Sequence, residues 1–150
     1  MISASTEEYL KTIYVIKKKN GIVRVTDIAN VMKCSKPSVT KQLNILKNYE
    51  LIDYESYGHI DITEKGIDYA KDIIADCDIL YILLHDVIGI DYKISKEDAA
   101  KIKGVISDES VKKIASYIYD VLDLKKMNCN FNIRRESCRA CLSKKGKLVW

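Results

Sequence analysis

Two short helices joined by a four-residue turn, two brief alternating runs about a glycine, and long apolar stripes after them predict a mainly α fold. The turn is Cys34-Ser35-Lys36-Pro37, the runs are Leu51-Ile52-Asp53-Tyr54 and His59-Ile60-Asp61-Ile62, and the stripes fill residues 67–124. The expected architecture is a winged helix–turn–helix with a two-stranded β wing, followed by an all-α domain. Composition agrees, since 47% hydrophobic and 31% charged residues with a single proline among 150 describe a globular, helix-rich chain. A net charge of +4 is only mildly basic, and nucleic-acid binding depends more on clustered than on total charge.

Taken in order, Tyr9, Leu10, Ile13, Tyr14 and Ile16 recur at helical spacing and predict a first helix from Thr6, its cap, to about Lys18. Glu7 and Glu8 suit the positive end of its dipole, and Asn20-Gly21 stops it. Val23-Arg24-Val25 is a short β-prone stretch. Thr26 is expected to cap a compact second helix, Asp27 to Lys33, that turns Ile28, Ala29 and Met32 inward. Ser35 suits the N-cap of the third helix and Pro37 its first turn, where a missing N–H costs nothing. Val39, Leu43 and Leu46 are its buried stripe. The alternating runs, turning at Ser56-Tyr57-Gly58, form a β-hairpin.

Thr63-Glu64-Lys65-Gly66 opens a long helix to about Val87, striped by Ala70, Ile73, Ile74, Cys77, Leu80, Tyr81 and Leu84. Ser95 is expected to cap a fifth helix, Lys96 to about Gly104, and Ser107-Asp108-Glu109 a sixth, to about Leu124. Helical periodicity fades at Lys125. The expected division is therefore a winged domain over residues 1–66, a helical domain over 67–124 and a cysteine-rich basic tail over 125–150.

A helix that enters the DNA major groove needs short, polar, exposed residues at its N-terminal end. Here those are Ser35, Lys36, Ser38, Thr40, Lys41 and Gln42, and Pro37 in the same turn and Thr26 on the preceding helix join them as candidate contacts. Serine, threonine and glutamine reach base edges or phosphates, and Lys36, Lys41 and Lys47 neutralise the backbone. Tyr57 and His59 at the hairpin tip suit a wing lying along phosphates. The competing expectation, a plain helical bundle with a hairpin, is disfavoured because the exposed face lacks the Glu–Lys ladders common on such bundles.

The stretches "TEEYLKTIYVI", "VRVTDIANVMKCSKPSVTKQLNILKNYELIDY", "GHIDITEKG" and "HDVIGID" follow one another as in the diphtheria-toxin-repressor and manganese-repressor family, which residues 5–122 resemble. The resemblance implies a homodimer on a pseudo-palindromic DNA operator, with the helices after the wing forming the dimerisation domain. It also implies metal ligands from the first, fourth and fifth helices. Glu8 falls at the first-helix ligand position, Cys77 about where the long helix offers a histidine, and Tyr81 where an acid follows. On the fifth helix the family's ligands correspond to Ala100, Lys103 and Gly104, which cannot hold a divalent cation. The usual iron or manganese site is thus expected to be lost.

The cysteines offer another kind of site. Cys129, Cys138 and Cys141 are spaced C-x8-C-x2-C in a basic tail, and thiolates select zinc or iron–sulfur clusters over hard cations. A fourth ligand would be Cys77, in the region where relatives bind metal, or Cys34, badly placed at the DNA face. Irregular spacing favours a [4Fe–4S] cluster over zinc, and Arg134, Arg135, Arg139, Lys144 and Lys145 would offset its negative charge. A C-x-x-C thiol switch, or in Cys77 a buried inert thiol, is the simpler alternative.

These features predict a dimeric DNA-binding regulator, a repressor, responsive to iron or redox state through an iron–sulfur cluster. A structural zinc site in the same regulator, or a small iron–sulfur electron-transfer protein, are the alternatives. No convincing nucleophile–base pair points to an enzyme. No apolar run reaches membrane-spanning length, so no membrane partner is expected and a cytoplasmic location, with reduced cysteines, is.

Overall fold

Ser3, not Thr6, starts the first helix. In the computed structural model, which describes residues 2–55 and 58–121, α1 spans Ala4–Asn20. The Ser3 hydroxyl accepts from the Thr6 backbone N–H at 3.2 Å, while Thr6 itself is buried, 2% exposed, inside the first turn. Threonine takes that interior place because its hydroxyl has partners there, Ser3 and Gln42. Gly21 closes α1 in the left-handed region (φ 74), its N–H returning to the Lys17 carbonyl.

Helix α2 covers Val25–Met32, and its cap position is Arg24, which makes no side-chain cap bond. Thr26 therefore lies within the first turn, exposed, instead of capping it. After Lys33 in the left-handed region (φ 51), α3 runs Lys36–Asn48 behind the expected Ser35 cap, which accepts from Ser38 N–H at 3.4 Å. Strands β1 (Ile52–Tyr54) and β2 (Ile60–Ile62) pair antiparallel with Ile52 opposite Ile62 and Tyr54 opposite Ile60. Val23 adds an isolated bridge to Ile60, so the β-prone stretch before α2 ties into the base of the wing.

The chain divides into two units, Met1–Lys71 and one beginning at Asp72. The first closes on Leu10, Ile13, Ile28, Val39, Leu43, Leu46, Ile52 and Ile60, all at 0–1% exposure, which are the inward positions of every periodic run in that part of the sequence.

Asp53 and Asp61 face each other across the wing strands, a like-charge pairing that costs stability. The Lys17 ammonium of α1 donates to the Asp61 carboxylate, and this bond and charge hold the Asp61 pKa below its ordinary value. A carboxylate whose pKa falls on folding stabilises the fold above its unfolded pKa, and that contribution is lost as pH falls through the folded value. Wild-type protein is accordingly expected to lose more stability between about pH 5 and 3 than Asp61→Asn does, the two denaturation curves converging in acid.

Helix α4 spans Glu64–Ile82 and continues as a π-helical turn, Leu83–Val87, that ends at Gly89 (φ 87). The expected long helix is there, with its last turn widened. Helix α5 spans Tyr92–Lys103 and begins one turn earlier than the sequence suggests. Asp91 is its cap, accepting from Lys93 and Ile94 N–H at 2.9 and 3.3 Å. Ser95 is wholly buried and donates to the Ile90 carbonyl at 3.2 Å, a carbonyl also met by His85 Nδ1 at 2.8 Å. Helix α6 spans Asp108–Val121 behind the Ser107 cap. Ile79, Leu80, Tyr81 and Ile82 pack with Ala99, Val111, Ala115 and Ile118 as the core of the second unit.

Candidate functional site

The exposed end of α3 is built by commitment of its other face. Val39, Leu43 and Leu46 are fully buried, so Ser35, Lys36, Pro37, Ser38 and Lys41 are left on the surface, with Thr40 at the margin. The helix contains three lysines and no acidic residue. Its capped N-terminus adds the positive end of the dipole to the same face. The Ser35 and Ser38 hydroxyls pair at 2.9 Å and Thr40 bonds back to the Lys36 carbonyl at 3.1 Å, which fixes the rotamers of this row. Neither Lys36 nor Lys41 has an intramolecular partner for its ammonium among the described residues. Their charge is available to phosphates.

Two of the expected contact residues have other duties. Gln42 is half-buried, and its amide oxygen accepts from the Thr6 hydroxyl at 2.9 Å. Since that spends the one Thr6 hydroxyl proton, the 2.8 Å bond from Ser3 to Thr6 is donated by Ser3. A relay of three polar side chains thus runs from the start of α1 to the middle of α3. Only the NH2 end of Gln42 is left to point elsewhere. Lys47 donates to the Tyr54 carbonyl at 2.7 Å, bracing β1 against α3. Nothing in local periodicity signals either bond, because each joins residues from different elements. His59 is exposed beside the wing; Tyr57 lies outside the described residues.

In the turn before α3, Cys34 meets the Tyr9 hydroxyl at 3.2 Å, and this bond, with burial, raises the Tyr9 pKa. Cys77 is buried on α4 between Asp76 and Asp78, which are buried as well. Neither Cys34 nor Cys77 is joined in a disulfide among the described residues. Cys129, Cys138 and Cys141 lie outside the described residues. Glu8 is paired at 2.6 Å with Lys11, one turn along its own helix.

Comparison with known proteins decides what this scaffold is. Residues 1–60 match the model of the iron dependent repressor N-terminal DNA binding domain, and residues 63–121 match that of the iron dependent repressor metal binding and dimerisation domain. The chain belongs to the iron-dependent repressor family. This is the diphtheria-toxin-repressor and manganese-repressor group that the sequence resembles, a family of DNA-binding transcriptional regulators and not of enzymes. An uncharacterised HTH-type transcriptional regulator of Methanocaldococcus jannaschii is 32% identical over 118 residues, covering 78% of this chain and 94% of that protein. The regulator MntR of Bacillus subtilis is 30% identical over 118 residues, covering 79% and 82%. The crystal structure of T. acidophilum IdeR superposes with a TM-score of 0.64 at 23% identity, and this chain, 74% covered, spans 52% of its length. Among the described residues, no helix is long and apolar enough to cross a membrane.

This member of the family departs from a hard-metal site among the described residues of its second unit. A divalent cation such as manganese or iron needs several anionic or carbonyl oxygens around it. Asp76 instead faces the Lys103 ammonium at 3.7 Å. Burial first, and Asp86 and Tyr92 next, push the Tyr81 phenol pKa above its ordinary value. Among the described residues, no three His, Cys, Asp or Glu side chains are grouped closely enough to hold a metal. The described donors do not fit such a cation.

Proposed function

We propose that this chain is a repressor that binds a pseudo-palindromic operator as a homodimer, with the N-terminal half of α3 in the major groove and the wing on the flanking backbone. The observation that carries this is the acid-free, exposed row Ser35, Lys36, Ser38 and Lys41 on the face of α3 opposite its buried stripe. In a two-fold dimer the two rows would meet half-sites about one helical turn, 34–36 Å, apart. A gel shift with DNA upstream of the protein's own coding sequence tests the claim. Retardation at least about 1,000-fold tighter than on random DNA of equal length is expected; equal affinity for both would refute it.

For the signal, we infer an iron–sulfur cluster, [4Fe–4S], on Cys129, Cys138 and Cys141 with Cys77 as fourth ligand. Thiolate softness and their irregular spacing support it, as does the buried place of Cys77 within the residues matched by the metal binding and dimerisation model. A cluster bridging the tail to α4 would supply redox or iron sensitivity while the winged unit supplies DNA affinity. Protein purified without oxygen should be brown and carry near-stoichiometric sulfide. Colourless protein holding zinc would replace the cluster by a structural zinc site, and full metal content in Cys77→Ala would remove Cys77 from the set.

A further inference from the structure

The mismatch between a domain matched as metal-binding and a donor set unsuited to a hard cation has a counterpart in one ion pair. Helix α4 carries three consecutive buried groups, the Asp76 carboxylate, the Cys77 thiol and the Asp78 carboxylate. Buried carboxylates need positive charge nearby, because desolvation penalises them heavily. Lys103, the last residue of α5, brings its ammonium to 3.7 Å from Asp76 Oδ2, with side-chain exposures of only 12% and 9%. Two other lysine–acid pairs, Lys101–Asp98 and Lys65–Glu50, lie in solvent at 45–83% exposure and are screened by it. A lysine ammonium is a compact point charge, the side-chain group nearest in kind to a metal ion. It also sits at the end of α5, where the helix dipole favours a cation.

We propose that Lys103 is a built-in cation: it supplies from within the chain the positive charge that the buried Asp76 carboxylate requires, and so takes the place of a divalent metal in holding α5 to α4. The inference rests on membership of the family and on the Lys103–Asp76 pair, and is independent of what the cysteines bind.

Thermal unfolding of the full chain, followed by far-UV circular dichroism in EDTA and again with excess Mn2+, tests it. Manganese is the probe because it prefers oxygen ligands and competes poorly for thiolates. Wild type is expected to melt within about 1 °C of the same temperature in both, and to retain no manganese in equilibrium dialysis. Lys103→Met keeps the stem and removes the charge, and should melt about 5 °C lower or more. Adding Asp76→Asn to Lys103→Met should recover at least about half of that loss, since the buried negative charge that Lys103 faced is then gone as well. A manganese-dependent rise of several degrees in the wild type, or a Lys103→Met variant as stable as wild type, would overturn the proposal. If Lys103→Met does not accumulate as folded protein, the wild-type manganese measurements decide alone.

Discussion

Gly66→Ala is expected to cost the winged unit about 3 kcal/mol or more, an effect at the top of the range for adding a single methyl group. A Cβ at this buried position would lie 1.9 Å from the Leu51 carbonyl oxygen and 2.9 Å from both Leu51 C and Ile62 Cγ1. The backbone cannot step aside, because the Leu51 oxygen also accepts from Thr63 N–H at 3.1 Å. Thr63 in turn donates its hydroxyl to the Glu50 carbonyl at 2.8 Å and accepts from Gly66 N–H at 3.1 Å. The first turn of α4 is thus pressed onto the chain leaving α3, and only a residue without a side chain fits. Gly21 makes the contrast: its φ of 74 needs glycine for conformation, yet a Cβ there meets nothing within 4 Å. Gly21→Ala should cost only about 1–2 kcal/mol. Urea denaturation followed by circular dichroism separates the two, and a Gly66→Ala midpoint as mildly shifted as that of Gly21→Ala would contradict the steric argument.

The second large effect is on DNA affinity. Lys41→Glu should weaken operator binding on the order of 100-fold in a dimer, because a phosphate contact is lost and a repulsion gained in each half-site. Lys41 is exposed, so its charge reversal leaves the core of α3 intact and the melting temperature close to that of wild type. The slope of log affinity against log salt should fall by about 2, one counterion for each copy of the lysine. Unchanged affinity with an unchanged slope would show that α3 meets DNA by another face, or not at all. Lys47→Glu is a different experiment, since its ammonium already braces the wing through the Tyr54 carbonyl; it should lower both affinity and stability.

The helix–turn–helix was legible because it is written in local patterns. Val39, Leu43 and Leu46 at helical spacing, Ser35 before Pro37, and alternating Ile52-Asp53-Tyr54 and Ile60-Asp61-Ile62 each carry their own periodicity. Misplaced starts came from residues with two possible uses. Thr6 and Ser95 look like caps, but both are buried, their hydroxyls satisfied by Gln42 and by the Ile90 carbonyl, while Ser3 and Asp91 take the cap positions. A hydroxyl or carboxylate that caps is distinguished from one that is buried only by what packs around it. The departure from the family's hard-metal pattern was visible in Lys103, Gly104 and Ala100. That Lys103 faces Asp76 was not, because charge pairing between two helices leaves no trace in the spacing of either.

The Ser3–Thr6–Gln42 relay has a bearing on protein engineering. A DNA-reading helix is often treated as a cassette whose exposed residues can be exchanged between scaffolds to change the sequence it selects. Here residues 36–48 are not portable in that way. Their central glutamine is keyed to a threonine on α1, and their last basic residue to a carbonyl on the wing. A graft of this helix keeps its aim only if Thr6 and the β1 backbone travel with it, and a library built to retarget it should leave positions 42 and 47 fixed while varying 35, 36, 38 and 41.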